Sequence, residues 1–290
     1  RVWVWGNASG RITVATSKKN TPQPFIIDDD TDNTLLFAPL VNGEPKGHGL
    51  VPRDYSVYPA EMFAPPSDLH LIPRSEWSAR IKEQEQTKSR ISDILQSAGI
   101  ESMDQGSNGY CWGHSTVGCV QALRAINNQP NVPLSAYAVC AIIKNGRNEG
   151  GWCGLSAKFL REVGVPSQKL WPQGNRNLNL DTPEMRANAA LHKVTEDWVD
   201  LTRDIYDQNL TFDQVATCLL CGIPCAIDLN WWSHSIMGCD LVEVESGSFG
   251  IRIRNSWGNS WGENGFGILR GSKSIPNGAV ALRVTGGAAA

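Results

Sequence analysis

Gln105-Gly106-Ser107-Asn108-Gly109-Tyr110-Cys111-Trp112 runs without interruption into residues 113–126, and the reading of this stretch decides the fold. Trp112, Val117, Val120, Leu123 and Ile126 recur at helical spacing, so Cys111 opens a helix that buries one face. Asn127-Asn128-Gln129-Pro130 ends it, because proline cannot continue the helix and biases its predecessor away from it. A thiol attacks carbonyl carbon well only as thiolate, and the partial positive charge of a helix N-terminus lowers a thiol pKa. The Cys111 amide is one of the unsatisfied donors at that helix start and can face a developing oxyanion. Gln105, just upstream, can add a side-chain donor.

Outward from this helix the first half of the chain reads as mainly helical. Residues 75–97 are mostly good helix formers with Gly99 as a stop, and shorter helices are expected over 134–144, over 155–163 with Gly164 as cap, and over 183–193. The period changes after Thr211-Phe212-Asp213-Gln214, a capping box that predicts a helix ending at Gly222. Short β-branched or apolar runs at 223–229, 235–244, 250–254 and 265–269 then predict strands. A helical half facing a strand-rich half makes the fold class α+β.

Two residues of the second half complete the chemistry that Cys111 begins. His234 lies on the polar break Trp232-Ser233-His234-Ser235 at the mouth of a strand, which holds an imidazole at a rim and suits a general base. Asn255 closes the next strand as Asn255-Ser256-Trp257-Gly258, where its amide oxygen can accept from one ring nitrogen and fix the tautomer.

Gln105-Gly106-Ser107-x-Gly109-x-Cys111-Trp112 and Asn255-Ser256-Trp257-Gly258-x-x-Trp261-Gly262-Glu263-x-Gly265 closely resemble the signatures of papain-like (cathepsin-type, C1) cysteine peptidases. The order Gln, Cys, His, Asn is also the family's, and the likeness spans roughly residues 72–270, starting at Ile72-Pro73 and Trp77. It implies a two-lobed fold, a helical left lobe of about 85–193 and a β-barrel-like right lobe of about 194–275, within a peptidase domain of 72–280. Cys111 would stand on one wall of the cleft and His234 with Asn255 on the other, with Gln105 and the Cys111 amide as oxyanion hole. It further implies that Trp257, backed by Trp261, shields the His234 to Asn255 hydrogen bond. Gly150 and Gly151 would bind extended substrate backbone, with Trp152 and Ser233 beside them. The implied activity is hydrolysis of peptide bonds, endo or exo, through an acyl-enzyme, with no metal or organic cofactor.

The chain departs from the family's pattern in places. Asn108 and Asn148 stand where secreted members carry a disulfide, and their joint presence points towards a reducing compartment; the localisation is otherwise open. The connection between Pro224 and His234 is short, so side-chain preference does not carry over. His114, three residues after Cys111, reads as a packed, hydrogen-bonded histidine, and His48, His70 and His192 have no motif around them. Cys218, Cys221, Cys225 and Cys239 lie among apolar residues and read as core thiols, although Cys218 and Cys221 have the spacing of a zinc pair.

Residues 1–71 read as an extended or β-rich arm, with alternation at Arg11-Ile12-Thr13-Val14, the acidic Asp28-Asp29-Asp30 and prolines up to Ala64-Pro65-Pro66. The arm carries no catalytic motif and lacks the charged helical pattern of the family's inhibitory propeptide. It is expected to pack along the main domain or tether it to a protein partner. Residues 281–290 are a terminal tail that frays. The net charge of −3, from 26 basic and 29 acidic side chains, creates no field that would draw the chain to nucleic acid or an anionic membrane. Two other readings stay open: a non-enzymatic component of a larger assembly that keeps the fold, and a Cys/His hydrolase acting on cell-wall peptide.

Overall fold

The computed structural model describes residues 24–32, 34–37, 40–59, 70–194, 199–202 and 206–282. The runs at 11–14 and 64–66 and most of the tail lie outside them. The described part of the arm is irregular: strand β1 (Ile26–Ile27), one turn of helix α1 (Thr34–Phe37), and a hairpin of β2 (Leu40–Val41) and β3 (Glu44–Pro45). Asn42 and Gly43 close the hairpin, both at positive φ, which matches the hand of a two-residue hairpin turn.

Residues 75–97 form two helices instead of one, α2 (Arg74–Thr87) and α3 (Ile91–Ser97). Lys88 takes a left-handed conformation that ends the first. Helix α4 (Cys111–Ile126) runs as its spacing predicts, but it is buried on more than one face. Helices α5 (Ala136–Ile143) and α6 (Cys153–Glu162) cover one side and the sheet covers another. Helix α7 (Pro183–Ala190) starts on a Thr182 cap with proline in its first turn, the position where a missing N–H costs least.

The second lobe comprises strand β4 (Val199–Asp200), helix α8 (Gln208–Leu220), and strands β5 (Cys225–Leu229), β6 (His234–Glu245), β7 (Ser248–Arg254), β8 (Phe266–Leu269) and β9 (Gly278–Ala281). Helix α8 begins a turn before the expected capping box, because the Asp207 side chain accepts from the Leu210 amide and takes the cap position. Thr211 and Gln214 are instead buried within the helix. The sheet order is β1-β8-β7-β6-β5-β9-β4, antiparallel except where β1 of the arm joins β8 in parallel. Cys218, Cys225 and Cys239 are buried, whereas Cys221, at the C-cap of α8, is exposed and is not a core thiol.

Candidate active site

The nucleophile candidate and the base candidate each begin an element. Cys111 is the first residue of α4 and His234 the first of β6, and these two elements pack against each other across the lobes. The amide of Ser235, next to His234 in the chain, donates to Cys111 Sγ at 3.4 Å. His234 Nε2 lies 2.7 Å from Asn255 Oδ1. That oxygen also accepts from the Ser256 amide at 2.8 Å, which identifies it as the carbonyl end of the side chain. Nε2 therefore carries the proton, and Nδ1, which has no hydrogen-bond partner, is the bare basic nitrogen. Trp257 lies along the imidazole at a centroid distance of 4.8 Å and Trp261 meets Trp257 edge-on at 5.8 Å, so the His234 ring is packed against Trp257 with Trp261 behind it.

Gln105 is held from both ends. Its Oε1 accepts from Ser256 Oγ at 2.5 Å, and its Nε2 faces the carbonyls of Gly47, His48 and Asn108 at 2.9, 3.0 and 2.7 Å. Two of these carbonyls belong to the arm. The arm therefore enters the groove, which its sequence had not suggested. Gly47 N donates to Gly106 O, Gly49 N and Leu50 N approach Ser233 O at 3.2 and 3.0 Å, and Val51 N donates to Gly151 O. In return, Gly151 N donates to Gly49 O at 2.9 Å, making a parallel bridge. Gly150, Gly151 and Ser233, expected to bind substrate, and Gln105, expected in the oxyanion hole, meet the arm's backbone. His48 is not incidental: its ring packs edge-on against His234 at 5.3 Å and Trp257 at 5.4 Å, and its Nε2 reaches Leu36 O.

Burial under the arm dominates the electrostatics. Cys111 and His234 are both 0% exposed. Desolvation pushes the Cys111 thiol up, against the smaller opposing effect of the Ser235 amide, and pushes the His234 imidazole down to about 3. The lowered thiol pKa expected from the helix N-terminus is thus reversed in this closed form, because removing water costs a thiolate more than the helix end returns. Burial thus favours the neutral forms of both sulfur and imidazole.

Other expected features find simpler places. His114 is buried with Nδ1 on Tyr110 O at 2.8 Å and Nε2 near Gln173 at 3.1 Å, and burial lowers its pKa to about 4, so it is packed and neutral. Asn108 bonds Tyr137 Oη, and Asn148 accepts from the neighbouring Gly109 amide at 2.8 Å. A hydrogen bond thus ties Asn148 to the loop before Cys111. Trp152 is buried beneath the Arg53 guanidinium, which sits 4.6 Å over its ring. Among the described residues no three His, Cys, Asp or Glu side chains converge as a metal site. Sequence reasoning missed the buried ion pair of Arg53 with Asp200, and Asp228, which shares a pocket with Arg53. None lies in a motif, although Asp228 as an acid within the otherwise apolar run 225–229 was a signal.

The chain is similar to known proteins in sequence and in fold. A cysteine endopeptidase of Oryza sativa, Rep1, is 27% identical over 183 residues, covering 56% of this chain and 48% of the relative. Zingipain-2 of Zingiber officinale is 24% identical over 190 residues, 60% of this chain and 82% of the relative. Among solved structures, xylellain, a cysteine protease from Xylella fastidiosa, superposes with a TM-score of 0.54 at 18% identity, covering 82% of this chain and 97% of the other. The chain spans about half the length of Rep1 and several other curated relatives it matches. The family model described as papain family cysteine protease matches residues 93–281, from α3 to the end of β9, and the chain belongs to that family.

Proposed function

We propose that the chain is a cysteine peptidase whose Cys111, His234, Asn255 and Gln105 act on peptide bonds, and that residues 47–51 hold it closed. The observation that carries this reading is the fixed tautomer of His234. Asn255 Oδ1, itself oriented by the Ser256 amide, keeps the proton on Nε2 and leaves Nδ1 bare on the ring whose next residue touches the Cys111 sulfur. With the arm displaced and water admitted, the thiol proton passes to Nδ1, giving a thiolate and an imidazolium. Sulfur then bonds to the peptide carbonyl carbon, and the oxygen takes up negative charge facing Gln105 Nε2 and the Cys111 amide. The C–N bond breaks as His234 protonates the leaving amine. Water, deprotonated by His234, then cleaves the thioester and releases the acid.

The substrate is a peptide or protein held by backbone pairing to Gly151 and Ser233, the pairing the arm now uses. The test is labelling of the full chain with an epoxide directed at papain-type thiols, in Gly49→Ala and in the same background with Cys111→Ala or His234→Ala. Labelling that needs both residues is expected. Labelling that survives His234→Ala, or spreads over the other thiols, overturns the assignment.

A further inference from the structure

Near the nucleophile the groove deepens into a pocket lined by Arg53, Trp152 and Asp228, with Asp200 bonded to Arg53. Asp228 on β5 pairs in register with Ser235, the residue whose amide touches Cys111 Sγ. Its side chain is 4% exposed, Oδ2 accepts from the Cys153 amide at 3.2 Å, and Oδ1 has no hydrogen-bond partner. Asp200 on β4 is 0% exposed and lies one strand further, with β9 between them. Arg53 of the arm fills the space. Its guanidinium forks onto Asp200, Nη1 to Oδ1 at 3.1 Å and Nη2 to Oδ2 at 2.8 Å, and its flat face lies over Trp152. Nε donates to Tyr58 O at 2.7 Å and Nη2 also to Pro59 O. With Arg53 in place the residual cavity is about 20 Å³, room for one water.

We propose that this pocket takes a basic side chain of the substrate, a guanidinium above all, and that Arg53 is the arm's own occupant of it. The word substrate rests on the peptidase reading, whereas the binding does not. A buried carboxylate pairs stably only with a cation that also satisfies its hydrogen bonds, and breaking such a pair by removing one partner is strongly unfavourable. When the arm leaves, Asp200 loses its partner, Trp152 loses the cation over its face, and Asp228 Oδ1 still lacks a donor. A planar, five-donor head group answers all three needs, two carboxylates and an aromatic face, better than a point charge or an apolar side chain. Burial pushes the Asp228 carboxyl up; hydrogen bonding to Ser235 and Cys153 opposes that push first, and the Arg53 charge adds to the opposition.

The experiment uses the full chain carrying Arg53→Ala, with Arg53→Lys as the conservative control. Iodoacetamide labelling of Cys111 is followed alone and in the presence of N-acetyl-arginine methylamide or its norleucine counterpart. Labelling is expected to be about tenfold faster or more in Arg53→Ala than in the unaltered chain, with partial recovery in Arg53→Lys. Unchanged labelling overturns the role of Arg53. The arginine compound is expected to protect at about tenfold lower concentration than norleucine, a difference that Asp228→Asn or Asp200→Asn reduces. Equal protection by the two compounds overturns the basic pocket without touching the peptidase reading. A panel of peptides with arginine or norleucine at each position supplies the second readout. Arginine protection without cleavage of any peptide leaves the pocket standing and ends the peptidase reading, whereas cleavage indifferent to arginine ends the pocket alone.

Discussion

The side-chain amide of Gln105 donates to the carbonyl of Gly47 at 2.9 Å, so the donor proposed for the oxyanion is already holding a carbonyl of the chain's own arm. Trp257 Nε1 reaches the same oxygen at 3.0 Å. Two groups of the catalytic wall thus converge on one arm peptide, and closure of the groove and its chemistry are read from the same atoms.

Gly49 is the point at which the closed form is most easily broken. Its φ of +120° is a conformation side chains rarely adopt, and a Cβ there would lie 2.2 Å from Gly109 O. Holding a non-glycine residue in such backbone costs about 2 kcal/mol, a factor of roughly 30 in the closed-to-open ratio. In Gly49→Ala, Cys111 alkylation at neutral pH is expected to accelerate by about that factor, measured by mass spectrometry of the labelled peptide. Gly43→Ala is the control, because its φ of +80° carries comparable backbone strain while a Cβ there meets no atom within 4 Å, which isolates the clash at Gly49.

Replacing Gln105 should move two readouts in opposite directions. Gln105→Ala removes the donor to Gly47 and His48, so the arm loosens and Cys111 labels faster. The same change removes one oxyanion donor, which costs about 10²-fold in kcat. Peptide turnover in the Gly49→Ala background is therefore expected to fall while labelling rises. A parallel fall of both would mean that the site had collapsed.

Asn255 should matter to turnover more than to binding. Its Oδ1 is the partner of His234 Nε2 at 2.7 Å, and without it the ring can take the other tautomer, which leaves Nδ1 protonated and useless as a base. In the Gly49→Ala background, Asn255→Ala is expected to lose roughly 10²-fold in kcat with KM little changed. Asn255→Asp, which keeps an acceptor at that place, should recover part of the loss.

Much of this site was legible in the sequence because its residues sit at element boundaries. Cys111 begins a helix with strong apolar period, and His234 and Asn255 stand at the ends of strands, so local pattern placed them. What stayed hidden depends on contacts between segments far apart in the chain. Gly47-His48-Gly49 has no periodicity, yet its two glycines are thin enough to pass the Asn108 and Gly109 backbone. Strand β9 and the two-residue strands exist through pairing and not through propensity. The split of residues 75–97 at Lys88 and the Asp207 cap are local choices that helix propensity averages away.

Acid should open the arm. His48 belongs to the arm, and burial in the groove holds its imidazole below the ordinary value of 6.5, whereas the ring returns to water when the arm lifts. The closed form therefore binds fewer protons than the open one once the pH falls below 6.5, and its stability, whole above that value, declines as the pH falls towards the lowered pKa of the closed form. His234 adds no such dependence in the proposed mechanism, because opening moves a proton from sulfur to ring without taking up another. Hydrogen exchange of the Gly49, Leu50 and Val51 amides, corrected for the intrinsic rate, should accordingly lose protection between pH 7 and pH 5. His48→Gln should flatten that dependence, and a profile indifferent to His48 would show that the arm is held without regard to the charge of the ring it carries.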